Sequence, residues 1–221
     1  MNGLKLLVIM LLLSTLFACK DDKVDIFAIV YSVEFEANWS ETSHPNAYPE
    51  GAGFSSFIVA AHLNGVDVFT LGLPPDEGIA QLATQGNLET LEQEFSTLRS
   101  RSEIADFEIG SAINTPSSSS VEIGLGPNYQ FISVLAKILP SPDWFIGAQT
   151  TLLDPQDGQW YDQVIVEATA YKAGLDSATT FEPPYFPIET SEGIELLKEG
   201  PLTLGTDTVF GLGRFIFRRI K

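Results

Sequence analysis

Residues 27 to 37 set Phe27, Ile29, Tyr31, Val33 and Phe35 on alternate positions, with Ser32, Glu34 and Glu36 between them. Alternation of period two sends one face to a core and the other to solvent, which predicts a half-buried β-strand. The stretch NWSETSHPNAYPEGAG reads as a long structured loop, dense in turn formers. FSSFIVAAH and VDVFTLG are expected strands, joined by a tight hairpin turn at Asn64-Gly65. From Asp76 the period changes. Ile79, Leu82 and Ala83, then Leu88, Leu91, Phe95 and Leu98, recur at helical spacing. Gly86 separates the two segments and Asn87 is placed to cap the second. The two amphipathic helices are expected to cover an open end of the sheet.

Strand character returns in ADFEIGSAI, SSVEIGLG and YQFISVLAKI, separated by NTPSSSS, read as a loop, and by GPN. DWFIGAQTTLL, a DPQDGQW turn and YDQVIVEATAY follow. Near the end, Phe210 and Leu212 give way to Phe215 and Phe217, a one-residue shift at Gly213-Arg214 that predicts a β-bulge. The fold class expected is all-β: an antiparallel β-sandwich of about eight to nine strands with two short helices, forming one domain over residues 26–221.

Charge narrows the function. Charged residues are 19% of the chain and the formal net charge is −17. A surface this acidic is unsuited to the phosphates of nucleic acid and to electrostatic docking on anionic lipid. The basic tail RFIFRRIK alternates charge with apolar residues, as a terminal or edge strand does.

The chain begins MNGLKLLVIMLLLSTLFACKDD. Its apolar run is too short to span a ~30 Å hydrocarbon core, so residues 1–18 read as a signal peptide. LFAC resembles the lipobox of bacterial lipoproteins, which implies acylation of Cys19 and membrane attachment through that lipid. Cys19 is the only cysteine. An exposed lone thiol would be a liability in an oxidising compartment, and acylation removes it. Residues 19–25 read as an acidic tether. CKDD resembles the export signal of surface-exposed lipoproteins in Bacteroidetes, which implies an outer-membrane location.

Catalytic signatures are missing: the sequence has no G-x-S-x-G elbow, H-E-x-x-H helix or phosphate-binding loop. Asp154 and Asp157 could serve a glycosidase, but DPQDGQ is a turn signature. His44 and His62, without cysteine partners, make a poor zinc site and read as hydrogen-bonded structural residues. Trp39, Trp144 and Trp160 stand beside turn residues, where large rings can plug the ends of a sandwich. The function expected is non-enzymatic recognition or adhesion, with a glycan or protein ligand bound through sandwich-end loops by a monomer. The alternatives are a structural outer-membrane lipoprotein whose partner is another envelope protein and, third, a hydrolase.

Three stretches in order resemble the spondin N-terminal domain family. The first carries Asn38-Trp39-Ser40, His44-Pro45, Tyr48-Pro49 and His62. The second is DEGIAQLATQG, with Thr84 where the family usually has Glu. The third is PSPDWFIG followed by AGLDSATTFEPP. The resemblance covers about residues 27 to 190. It implies a sandwich like that of calcium-dependent phospholipid-binding domains, and adhesion rather than catalysis. It also implies a calcium ion held by three aspartates, one in an S-P-D-W turn and two in a D-A-G-T-D-S-G loop. The first falls on Asp143 and the last on Asp176, but the middle one falls on Lys172. Calcium takes about six to eight oxygen ligands, and an ammonium supplies none. No cofactor is therefore expected, with calcium in doubt because Lys172 replaces a family ligand. Three arrangements stay open. Lys172 substitutes for the cation and pairs with Asp143 and Asp176; or Lys172 faces solvent and Asp143 caps a turn; or a weakened calcium site is completed by carbonyls or Asp154.

Overall fold

The structure, a computed structural model, describes residues 29–45, 48–203, 209 and 211–221. The signal peptide, Cys19, the acidic tether, Phe27 and Phe210 lie outside the described residues. In chain order the elements are β1 (Ile29–Ala37), β2 (Gly53–Phe54), β3 (Phe57–His62), α1 (Glu77–Gln85), α2 (Glu89–Ser100), β4 (Ile104–Gly110), β5 (Ile113–Asn114) and β6 (Ser117–Leu125). They continue with β7 (Phe131–Leu139), β8 (Trp144–Thr151), β9 (Gln163–Glu167), β10 (Thr169–Lys172), β11 (Glu195–Leu196) and β12 (Gly213–Arg219). The expected all-β antiparallel sandwich is what forms. One sheet has the order β6-β1-β12-β9; the other runs β11-β10-β8-β7-β2-β5, with β3 beside β7 and β4 beside β3. The strand count exceeds the eight or nine expected because the two-residue strands β2, β5 and β11 are too short to show a period.

Between the sheets lies an aromatic core of Tyr31, Phe35, Trp39, Phe54, Phe215 and Phe217, all at most 1% exposed. Phe35 meets Phe54 edge-on at 4.9 Å between ring centroids. A second core lies under the helices, where Ile79, Leu82, Leu91 and Phe95 pack with Ile58, Ala60, Leu135 and Phe145. The helices thus cover the outer face of the large sheet, not an open end as expected. With both faces covered, β3 is buried at every position, and its sequence shows an apolar run instead of alternation. Gly86 closes α1 in the left-handed region at φ +71°, and the Asn87 side chain accepts the Glu89 amide at 2.8 Å at the start of α2.

Three other expectations are corrected. VDVFTLG is not a strand: Val68 joins the core beneath the helices and the Phe69 ring stacks edge-on to Phe145 at 5.5 Å. Its apolar side chains pack without a ladder, and only Leu71 bridges, to Ile194. The serine run is not a loop, because Ser117–Ser120 open β6 and pair with Ala37, Glu36, Phe35 and Glu34. An edge strand needs backbone pairing on one side only, which serine supplies as well as any residue. No bulge falls at Gly213-Arg214. β12 begins at Gly213 and keeps register with β1 to Arg219. The phase shift arises just before it, where the Leu212 carbonyl accepts both the Asn38 and Trp39 amides, at 3.0 and 3.1 Å. Gly213 is required here: its φ is +154°, and a Cβ would sit 2.5 Å from the Glu36 carbonyl oxygen.

Candidate functional site

Asp143 stands in the turn between β7 and β8, at 0% exposure. Ser141 shapes that turn by donating to the Ile138 carbonyl at 2.6 Å and accepting the Trp144 amide at 3.3 Å. One carboxylate oxygen of Asp143, Oδ2, accepts the amides of Leu175 (2.7 Å) and Asp176 (3.2 Å), and its main-chain carbonyl accepts the Ala173 amide at 3.1 Å. The loop after β10 is therefore laced to the β7–β8 turn by one buried side chain. Gly174 permits the approach: its φ is +71°, and a Cβ there would meet the Gly193 carbonyl oxygen at 2.4 Å. Asp176 organises its own loop, with Oδ1 accepting the amides of Ala178 (2.8 Å) and Phe186 (2.9 Å).

The cation beside these carboxylates is not Lys172. Register on β10 and β11 places Lys172 opposite Glu195, and Lys172 Nζ lies 3.2 Å from Glu195 Oε2, with the lysine side chain 34% exposed. The expected ion pairs from Lys172 to Asp143 and Asp176 do not form. The carboxylate directly opposite on the neighbouring strand takes the ammonium instead.

The buried cation of this turn is Lys137, held by backbone carbonyls and not by the carboxylates themselves. It is 3% exposed on β7, and its ammonium donates to the carbonyls of Ala83, Ser141 (2.9 Å) and Pro142 (3.4 Å) and to Ser141 Oγ (3.1 Å). Ala83 belongs to the last turn of α1, so this one side chain joins the helix end to the β7–β8 turn. Burial lowers the Lys137 pKa to about 8, against the pull of the Asp143 and Asp176 charges. Burial likewise raises the Asp143 carboxyl above its ordinary value; the Leu175 and Asp176 amides and the Lys137 charge oppose the rise, and the Asp176 charge adds to it. Sequence reasoning passed over Lys137, although a lone lysine between apolar neighbours in SVLAKIL was the available signal.

Beside this cluster, where β8 begins and β10 ends, a cleft of about 240 Å³ opens. Trp144, Lys172, Asp176, Thr179, Glu195 and Lys198 are among its lining residues. Carboxylates and ammoniums are therefore mixed in a wall that includes the 2%-exposed Trp144. Such a lining offers hydrogen-bond donors and acceptors together, which suits a polar ligand.

Other expected residues hold structural places. Asp154 and Asp157 accept the amides of Gln156 and Gln159, each at 2.8 Å, as turn residues do. Buried His44 meets Ser43 Oγ at 3.0 Å and lies edge-on to Trp39. His62 donates from Nδ1 to the Leu63 carbonyl (3.0 Å), leaving Nε2 to accept the Ser133 hydroxyl (2.8 Å). This serine–histidine pair is no nucleophile, since Ser133 is 0% exposed and out of reach of a substrate. Burial lowers the His62 pKa, with the Leu63 carbonyl and Asp67 opposing. Trp39 and Trp144 are buried near the loops and Trp160 is half-buried against Tyr31.

Fold and site together define a two-sheet sandwich with laced loops and a charged cleft beside them. The Spondin_N family profile matches residues 29–202, and the chain belongs to this spondin N-terminal domain family. It is 30% identical over 161 residues to Spondin-2 of Rattus norvegicus, covering 71% of this chain and 48% of that protein. It is 30% identical over 176 residues to Spondin-1 of the same species, covering 76% of this chain and 21% of that protein. Spondin-2 of Homo sapiens matches at 30% over 162 residues. The chain thus spans about half the length of the Spondin-2 proteins and about a fifth of rat Spondin-1.

Proposed function

We propose that this chain is a non-enzymatic extracellular recognition module, attached to a bacterial outer membrane through a lipid on Cys19 and binding a glycan or protein partner in the cleft at Trp144. The observation that carries this reading is the cleft itself. It combines an indole with acidic and basic side chains beside loops that Asp143 and Lys137 hold in place. Preorganised loops bind without first losing conformational freedom. Membership of the spondin N-terminal domain family supports recognition over catalysis, as does the structural use of Asp154, Asp157, His44 and His62.

Two measurements test the two halves. Screening the chain on a glycan array and against envelope and matrix proteins should identify a binder. Thr179→Trp, which fills the cleft from an exposed position, should weaken that binder about tenfold or more, roughly 1.4 kcal/mol, without lowering the melting temperature. A binder indifferent to this variant would place recognition elsewhere. For the anchor, Cys19→Ala should move the chain from the membrane to the soluble fraction of producing cells. Unchanged membrane retention would remove the lipid from the account.

A further inference from the structure

We infer that this member of the family closes its Asp143 loop cluster without a divalent cation, the buried ammonium of Lys137 supplying the positive charge from within the fold. The inference is independent of whether the neighbouring cleft binds a ligand.

The donor set does not fit calcium. Calcium needs about six to eight oxygens, and its sites draw strength from converging carboxylates. Here two carboxylates converge, and each has one oxygen already occupied by two backbone amides. The position of the third carries Lys172, held by Glu195. Asp154, which could have completed a weakened site, caps its own turn. Among the described residues, no group of three or more His, Cys, Asp or Glu is arranged to hold a metal ion. Asp143 Oδ1 is the buried acceptor without a hydrogen bond that a metal would claim. One such oxygen is a small fraction of a calcium shell.

The Lys137 ammonium supplies a buried positive charge and a backbone cross-link at this turn without ligating either carboxylate. Its charge is fixed at the Asp143 turn by geometry, because Nζ donates to the carbonyl of Pro142, the residue before Asp143, at 3.4 Å. It also cross-links backbone, gripping carbonyls of Ala83 in α1 and of Ser141 and Pro142 in the turn. A divalent ion brought to Asp143 Oδ1 would face this buried like charge in a medium that screens it poorly.

The test uses the full-length chain in mild detergent, with calcium itself and terbium as a luminescent substitute. Thermal melting followed by circular dichroism should give coincident curves in millimolar calcium and in chelator. Terbium should show no saturable emission sensitised by Trp144, the neighbour of Asp143, when compared with Asp143→Asn. Lys137→Met should melt clearly below the unaltered chain in chelator. A calcium-dependent rise in the unaltered chain's melting temperature would overturn the inference, as would terbium emission that Asp143→Asn abolishes. A Lys137→Met variant melting with the unaltered chain would overturn it equally, since the ammonium would then be closing nothing.

Discussion

Asp143→Ala is expected to destabilise the fold by about 3 kcal/mol, the order expected for losing two hydrogen bonds to a charged acceptor. Two losses combine. The half-buried Leu175 and Asp176 amides lose their shared charged acceptor, each such bond being worth about 1.5–3 kcal/mol. Lys137, 3% exposed, also loses the larger of the two carboxylate charges that oppose the lowering of its pKa by burial. Asp143→Asn separates the two effects, because its carbonyl oxygen can still accept both amides while the charge is gone. Urea unfolding at neutral pH should therefore rank the native chain above Asn and Asn above Ala. Equal midpoints for the native chain and Asp143→Ala would mean that the loops are held by something else.

Most of the sandwich was legible because its two periods are local. Tyr31, Val33 and Phe35 are buried with half-buried neighbours between them, as alternation requires. Ile79, Leu82, Leu91 and Phe95 turn one stripe to the sheet. What the sequence hid depends on pairing. A serine edge strand forms because β1 lies beside it, and nothing in NTPSSSS announces β1. The candidate site was half legible for the same reason. The S-P-D-W turn and the A-G-L-D-S loop were visible as a pair, and Asp143 does lace them. The identity of the cation was not visible, because Lys172 is decided by Glu195 on a two-residue strand. Lys137 could have been found by a different question. On β7, Ile132, Val134, Ala136 and Ile138 face the inter-sheet core, so Ser133, Leu135 and Lys137 share the face under the helices. A charge on a strand buried on both faces must have partners nearby.

Trp39→Ala is expected to cost about 3–5 kcal/mol, the range for deleting a buried aromatic ring. The ring is 0% exposed and contacts aromatic neighbours on several segments. Its centroid lies 5.5 Å from Tyr48, 6.0 Å from Phe54 on β2 and 5.5 Å from Phe181 in the loop beyond Asp176. Phe181 in turn meets Trp144 at 5.5 Å, edge-on, and Trp144 lines the cleft. The damage should therefore travel: Trp39→Ala removes one of the two rings that Phe181 packs against and loosens the wall beneath the cleft. Trp39→Phe is the informative comparison. Trp39 Nε1 is buried with no hydrogen-bond partner, so phenylalanine removes an unpaired donor along with some volume. Those terms oppose each other, and the net cost should fall to about 1–2 kcal/mol. Chemical denaturation of both variants checks the ranking, and near-ultraviolet circular dichroism follows the packing of the remaining aromatic side chains in the same samples. A Trp39→Phe variant as unstable as Trp39→Ala would show that the indole nitrogen has a partner and is holding the loop by it.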